Sequence, residues 1–138
     1  MRPVNLFLTE DGVLKLGYYG LTTQAECYSI KETNCDGIRS FAPEVFKGAY
    51  EMKSDVWSLG IVMLVLMGIT PYSDYDESEL PTMNDDYELP FDVDGIESAE
   101  LIDLLQKGFE ERVSDRWNVS EFMNVSVMGW RMMSSIHS

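Results

Sequence analysis

Cys27 and Cys35 are the only thiols in 138 residues, and His137 is the only imidazole. Two thiols and one distant imidazole fall short of the four ligands that a structural zinc ion takes. Nor do two cysteines make a disulfide framework, so they read as free thiols. Asp92-Val93-Asp94-Gly95 opens like a calcium loop. It lacks the alternating oxygen ligands and the closing glutamate, so no calcium site is assigned. Asn118-Val119-Ser120 and Asn124-Val125-Ser126 fit the glycosylation pattern, but no signal peptide opens the chain and they read as coincidence. The most pronounced chemical feature is charge. Ten Lys and Arg stand against 24 Asp and Glu, a net charge of −14. Such a surface repels phosphate backbones and anionic lipid, which argues against nucleic acid and membrane partners. Basic proteins or cations are the electrostatic match. Residues 74–100 hold 11 of the acidic residues and no Lys or Arg. That run reads first as a solvated face and second as a docking site for a basic partner.

The length suits one domain or one lobe of a larger one. Hydrophobic residues at 45% and charged residues at 25% are ordinary for a globular chain. Residues 5–16 read as a β-hairpin, with Leu6-Phe7-Leu8 and Val13-Leu14-Lys15-Leu16 flanking a turn at Asp11-Gly12. Gly17 to Phe41 shows no sustained period and reads as a long loop. Residues 53–68 carry the clearest helix signal: Ser54 as cap, Asp55 in the first turn, Gly68 as stop. Its side chains leave almost no polar face, so the helix is expected to be buried on all sides. The acidic connector 74–100, broken by Pro81 and Pro90, suits short helical turns and loops. Residues 98–133 read as the C-terminal helices. Leu101, Leu104, Leu105 and Gly108 share one face, and Asn118 with Glu121 forms a capping box. The longest apolar run, Leu59 to Ile69, is too short to span a bilayer. A cytoplasmic location is expected. The fold class is mainly α with a small N-terminal β element.

A set of motifs in order narrows this further. Arg2-Pro3-Val4-Asn5-Leu6-Phe7-Leu8 resembles the tail of a catalytic loop, and Lys15-Leu16-Gly17-Tyr18-Tyr19-Gly20 occupies a metal-loop place. Ala42-Pro43-Glu44 closes the long loop, Asp55-Val56-Trp57-Ser58-Leu59-Gly60 opens the buried helix, and Arg116 precedes the last helix. Together these resemble the C-terminal lobe of a eukaryotic protein kinase, closer to the serine/threonine branch. The resemblance covers the chain from Arg2 to about Met128. It implies a partial kinase domain over 1–138, with no counterpart of the N-terminal lobe and with residues 17–44 as metal-loop position and activation segment.

The resemblance implies roles. Glu44 pairs with Arg116 and ties the activation segment to the lower helices. Asp55 accepts backbone hydrogens from the catalytic loop. Asn5 holds the place of a second metal ligand, and Phe7 that of the floor beneath a bound adenine, or else hairpin core. Tyr19, Gly20, Ala42, Pro43, Trp57 and Gly60 hold scaffold positions. Thr22, Thr23, Tyr28, Ser29 and Thr33 fall in the activation segment as hydroxyls open to phosphorylation. The family uses ATP and Mg²⁺.

Departures from the family pattern fall on its chemistry. Tyr18 stands where the metal-binding aspartate belongs. A phenol is neutral at pH 7 and bulkier than a carboxylate, whereas Mg²⁺ wants hard anionic or carbonyl oxygens. The chain begins just after the place of the His-Arg-Asp base. Asp36-Gly37-Ile38 replaces the usual Gly-Thr-Pro. The expectation is a catalytically silent, pseudokinase-like C-lobe with no cofactor of its own, acting through protein partners. The alternative is the C-terminal half of a serine/threonine kinase whose N-lobe and base lie outside this chain. The surface that would face an N-lobe, including Leu6, Phe7 and Tyr19, is expected to support a homodimer.

Overall fold

The computed structural model describes residues 5–17, 38–85 and 88–124. Two three-residue strands, β1 (Leu6–Leu8) and β2 (Leu14–Leu16), pair antiparallel with Phe7 opposite Lys15. Thr9 closes the connection at both ends: Thr9 N–H donates to the Val13 carbonyl, and Val13 N–H donates to the Thr9 hydroxyl. Gly12 takes a left-handed φ of 76°, a conformation glycine adopts without steric cost.

Helices follow. A 3₁₀ turn at Ile38–Ser40 leads into α1 (Pro43–Phe46), where Pro43 fills a first-turn position that needs no N–H. The long helix α2 spans Ser54–Leu66, and α3 spans Ala99–Gly108. Residues 119–124 are helical and open α4. The acidic connector contains 3₁₀ turns at Leu80–Asp85 and Val93–Gly95, joined by irregular chain. Among the described residues the fold is therefore mainly helical with one two-stranded hairpin, as its composition and motif order suggest.

The core forms where α2 meets α3. Trp57, Ile61 and Leu64 from α2 pack with Leu105, Phe109, Phe91 and Ala42. Val56, Leu104 and Phe122 make a second cluster beside it. Trp57 meets Phe109 edge to face with centroids 5.0 Å apart, an arrangement that adds to simple burial. Two glycines make the close approach. A Cβ on Gly60 would stand 2.7 Å from the Phe109 ring, and one on Gly108 would stand 2.8 Å from Phe122. Each ring thus lies directly on a helix backbone.

Several local expectations are corrected. Ser54 does not cap α2; Lys53 holds that place without a side-chain capping bond, and Ser54 begins the helix. Ser54 Oγ instead accepts from Glu51 N–H and donates to Glu44. Nor is α2 buried on all sides. Its last turn surfaces, with Leu66 77% exposed, because α3 and the 38–42 turn cover only one part of its circumference. The loop expected over 17–41 contains a 3₁₀ turn, Ile38–Ser40, near its end. Ser98 is the N-cap of α3, its Oγ accepting from Leu101 N–H. Among the described residues no helix is long and apolar enough to cross a membrane.

Candidate functional site

The geometry that organises the lower molecule begins at Arg116. This guanidinium is buried, and all five of its N–H groups find acceptors. Nη1 meets Glu44 Oε1 at 2.6 Å and the Lys53 carbonyl at 3.3 Å. Nη2 meets Glu44 Oε2 at 3.0 Å and the Glu111 carbonyl at 3.4 Å. Nε donates to the Glu110 carbonyl at 2.9 Å. The planar fork and carboxylate thus make two parallel bonds, a geometry that lysine cannot reproduce. The guanidinium carbon also sits 5.0 Å from the Trp57 ring centroid, within cation–π range. Ser54 Oγ adds a third bond to Glu44 Oε1 at 2.7 Å. Burial pushes the Glu44 carboxyl up. Hydrogen bonds from Arg116 and Ser54, its own backbone N–H and the Arg116 charge outweigh that and hold it below the ordinary range.

Two further ties fix the segment before Glu44. Ser58 on α2 donates to the Ser40 carbonyl at 2.8 Å, in a buried position. Arg39 reaches across to the 71–77 loop. It donates through Nη1 to the carbonyls of Pro71 and Tyr72, and through Nη2 to that of Tyr75. Its Nε lies 3.5 Å from Glu77. Residues 38–46 are therefore held at three points: on the 71–77 loop, on α2, and on the loop before α4. Sequence reading missed Arg39 and the Ser58 contact, since a bond to a distant backbone carbonyl has no residue-type signature.

The expected site residues distribute as follows. The structure brings Ala42, Pro43, Glu44, Trp57, Gly60 and Arg116 into one region around the start of α2. Asp55 lies in the first turn of α2 beside Tyr50. Partial burial, and the hydrogen bond and charge of Asp55, push the Tyr50 phenol up. Asn5 lies at the hairpin base, where its carbonyl accepts from Gly17 N–H. Phe7 is 57% exposed and is not hairpin core; its ring lies across Gly17, where a Cβ would meet it at 2.5 Å. A three-residue strand pair has no second layer to bury it. Tyr18, Tyr19, Gly20, Thr22, Thr23, Tyr28, Ser29 and Thr33 lie outside the described residues, as do both cysteines and His137. Among the described residues, no group of three His, Cys, Asp or Glu side chains is arranged to hold a metal ion.

The comparisons with known proteins agree with this architecture. The family model of the protein kinase domain matches residues 1–128. The chain is 27% identical over 136 residues to serine/threonine-protein kinase Nek9 of Xenopus laevis, covering 95% of this chain and 14% of that protein. It is 28% identical over 129 residues to the probable serine/threonine-protein kinase MARK-C of Dictyostelium discoideum, covering 90% of this chain and 16% of that one. A CBL-interacting serine/threonine-protein kinase 12 of Arabidopsis thaliana is 33% identical over 132 residues, 91% of this chain and 27% of the relative. The chain thus spans under a third of the length of these relatives. With the motif order, the bidentate Glu44–Arg116 pair and a family match over most of its residues, the chain belongs to the protein kinase domain family.

Proposed function

We propose that this chain is a catalytically silent kinase C-lobe that works through protein contacts. The observation that carries the reading is the residue at position 18. In the family, phosphoryl transfer rests on positioning and on charge neutralisation by Mg²⁺. At the positions matching its ligands, this chain supplies the Asn5 amide and the Tyr18 phenol. An amide oxygen and a neutral phenol make a poor donor set for a hard cation that favours carboxylate. The residues therefore do not fit Mg²⁺, and no catalytic step is routed through it. The scaffold residues Glu44, Asp55, Trp57, Gly60 and Arg116 keep the family pattern meanwhile. Retained packing beside lost chemistry is what selection for a surface would leave.

Two surfaces suit partners. The hairpin presents Phe7, Leu8, Val13, Leu14 and Leu16 to solvent, and exposed apolar area of this kind favours self-association or a partner. The connector 74–100 offers negative charge to a basic protein. A second reading is favoured by the relatives, which are several times longer than the matched region. In it the chain is the lower half of a longer serine/threonine kinase, and ATP-dependent transfer to protein belongs to the whole. A radiolabelled γ-phosphate assay on the chain joined to any upstream coding segment separates the two. Silence is expected with Mg²⁺ or Mn²⁺. Metal-dependent transfer that substitution at Tyr18 abolishes would overturn the proposal.

A further inference from the structure

The 71–77 loop is held by ties of different kinds. Arg39 gathers its carbonyls from one side. On the other side, Tyr72 N–H donates to the Pro90 carbonyl at 3.0 Å, and the Tyr75 hydroxyl donates to Glu88 Oε2 at 2.6 Å. Tyr72 itself takes a left-handed φ of 53°, a conformation that costs a bulky residue energy and persists only when neighbours enforce it. The loop is therefore strained at one residue and kept in place partly by a side-chain bond in solvent. That bond depends on a phenolic hydrogen. The surroundings are anionic: Asp74, Asp76, Glu77 and Glu79 flank Tyr75 in sequence, Glu88 faces its hydroxyl, and no Lys or Arg occurs from 74 to 100.

We propose that Tyr75 is a phosphorylation site whose modification releases the 71–77 loop from residues 88–90. The acceptor is an exposed hydroxyl within an acidic segment, the chemistry that a protein-tyrosine kinase with a basic substrate groove would recognise. The Tyr75 oxygen forms a bond to the γ-phosphorus of a nucleoside triphosphate. The bond from that phosphorus to the β,γ-bridging oxygen breaks and leaves the diphosphate, and the phenolic proton passes to the modifying enzyme's base. The product carries nearly two negative charges and no donor hydrogen. Attraction to Glu88 then becomes repulsion. Arg39, the cation bonded to this loop, already serves three carbonyls and Glu77. Without the Tyr75–Glu88 tie, the strain at Tyr72 favours opening. The inference is independent of whether the chain itself transfers phosphate.

The test treats the purified chain with an acidophilic protein-tyrosine kinase and Mg-ATP, then maps phosphate by mass spectrometry and follows amide exchange. Phosphate is expected on Tyr75, and the Tyr72 amide should exchange at least about tenfold faster afterwards. Tyr75→Phe should abolish that phosphorylation while leaving the far-ultraviolet circular dichroism unchanged. Glu88→Gln should restore protection in the phosphorylated protein, because an amide can donate to phosphate where a carboxylate repels it. Phosphate found only elsewhere, or not at all, overturns the proposal. So does a modified Tyr75 with Tyr72 exchange unchanged, or an opened loop that Glu88→Gln fails to close.

Discussion

A guanidinium only 1% exposed is a liability unless every N–H meets an acceptor. At Arg116 each one does, and the carboxylate that completes the set comes from a residue 72 positions earlier. Glu44→Ala should therefore cost about 3–5 kcal/mol, because it leaves the charge buried and unpaired. Denaturant unfolding measures this. The same pair sets a pH dependence. The Glu44 carboxyl is lowered in the folded state from an ordinary value of 4.5. Its contribution is full above about pH 4.5 and is lost as pH falls through the lower folded value. Stability of the wild-type chain should drop below pH 4.5 more steeply than that of Glu44→Gln. Equal slopes would mean that the carboxyl titrates alike in both states.

Among the elements, α2 and α3 are joined through glycines that admit aromatic rings. Gly60→Ala removes a flexible residue from a helix and improves its propensity, yet the new Cβ meets Phe109 at 2.7 Å. Phe109 is enclosed by Trp57 and Phe91 and has little room to give. Overpacking should win, with a net loss of about 1–3 kcal/mol seen in thermal or chemical unfolding. The start of α4 behaves differently. Asn118 Oδ1 accepts from Glu121 N–H at 3.0 Å, while Glu121 Oε2 accepts from Asn118 N–H at 2.8 Å. Asn118→Ala should cost about 1 kcal/mol by removing the cap. Such a box was readable from sequence because it is local and its residue types are diagnostic. The α3 face was readable because its apolar spacing has a period. The exposed last turn of α2 was not, since a segment apolar all round gives no phase to say which side is covered. Glu44 and Arg116 were linked only through family resemblance, as no local pattern joins residues so far apart. Arg39 and Ser58 escaped notice because their acceptors are backbone carbonyls, which every residue carries.

At the scale of the molecule, net charge and apolar exposure work against each other. A charge of −14 keeps copies apart at low salt, while a hairpin with Leu8 71% exposed invites association. Dimer formation through the hairpin should therefore strengthen as salt screens the repulsion, and Phe7→Ser with Leu14→Ser should abolish it. Sedimentation equilibrium across a concentration and salt series checks this. Contacts between a basic partner and residues 74–100 should weaken with salt instead. Thermal unfolding is followed as ATP is titrated in, with and without Mg²⁺. A ligand that binds only the folded chain must raise the midpoint as its concentration rises. Mg²⁺ should add nothing to any shift produced by ATP alone, while Tyr18→Asp should bring in a Mg²⁺-dependent rise. A Mg²⁺-dependent rise in the unaltered chain would contradict this.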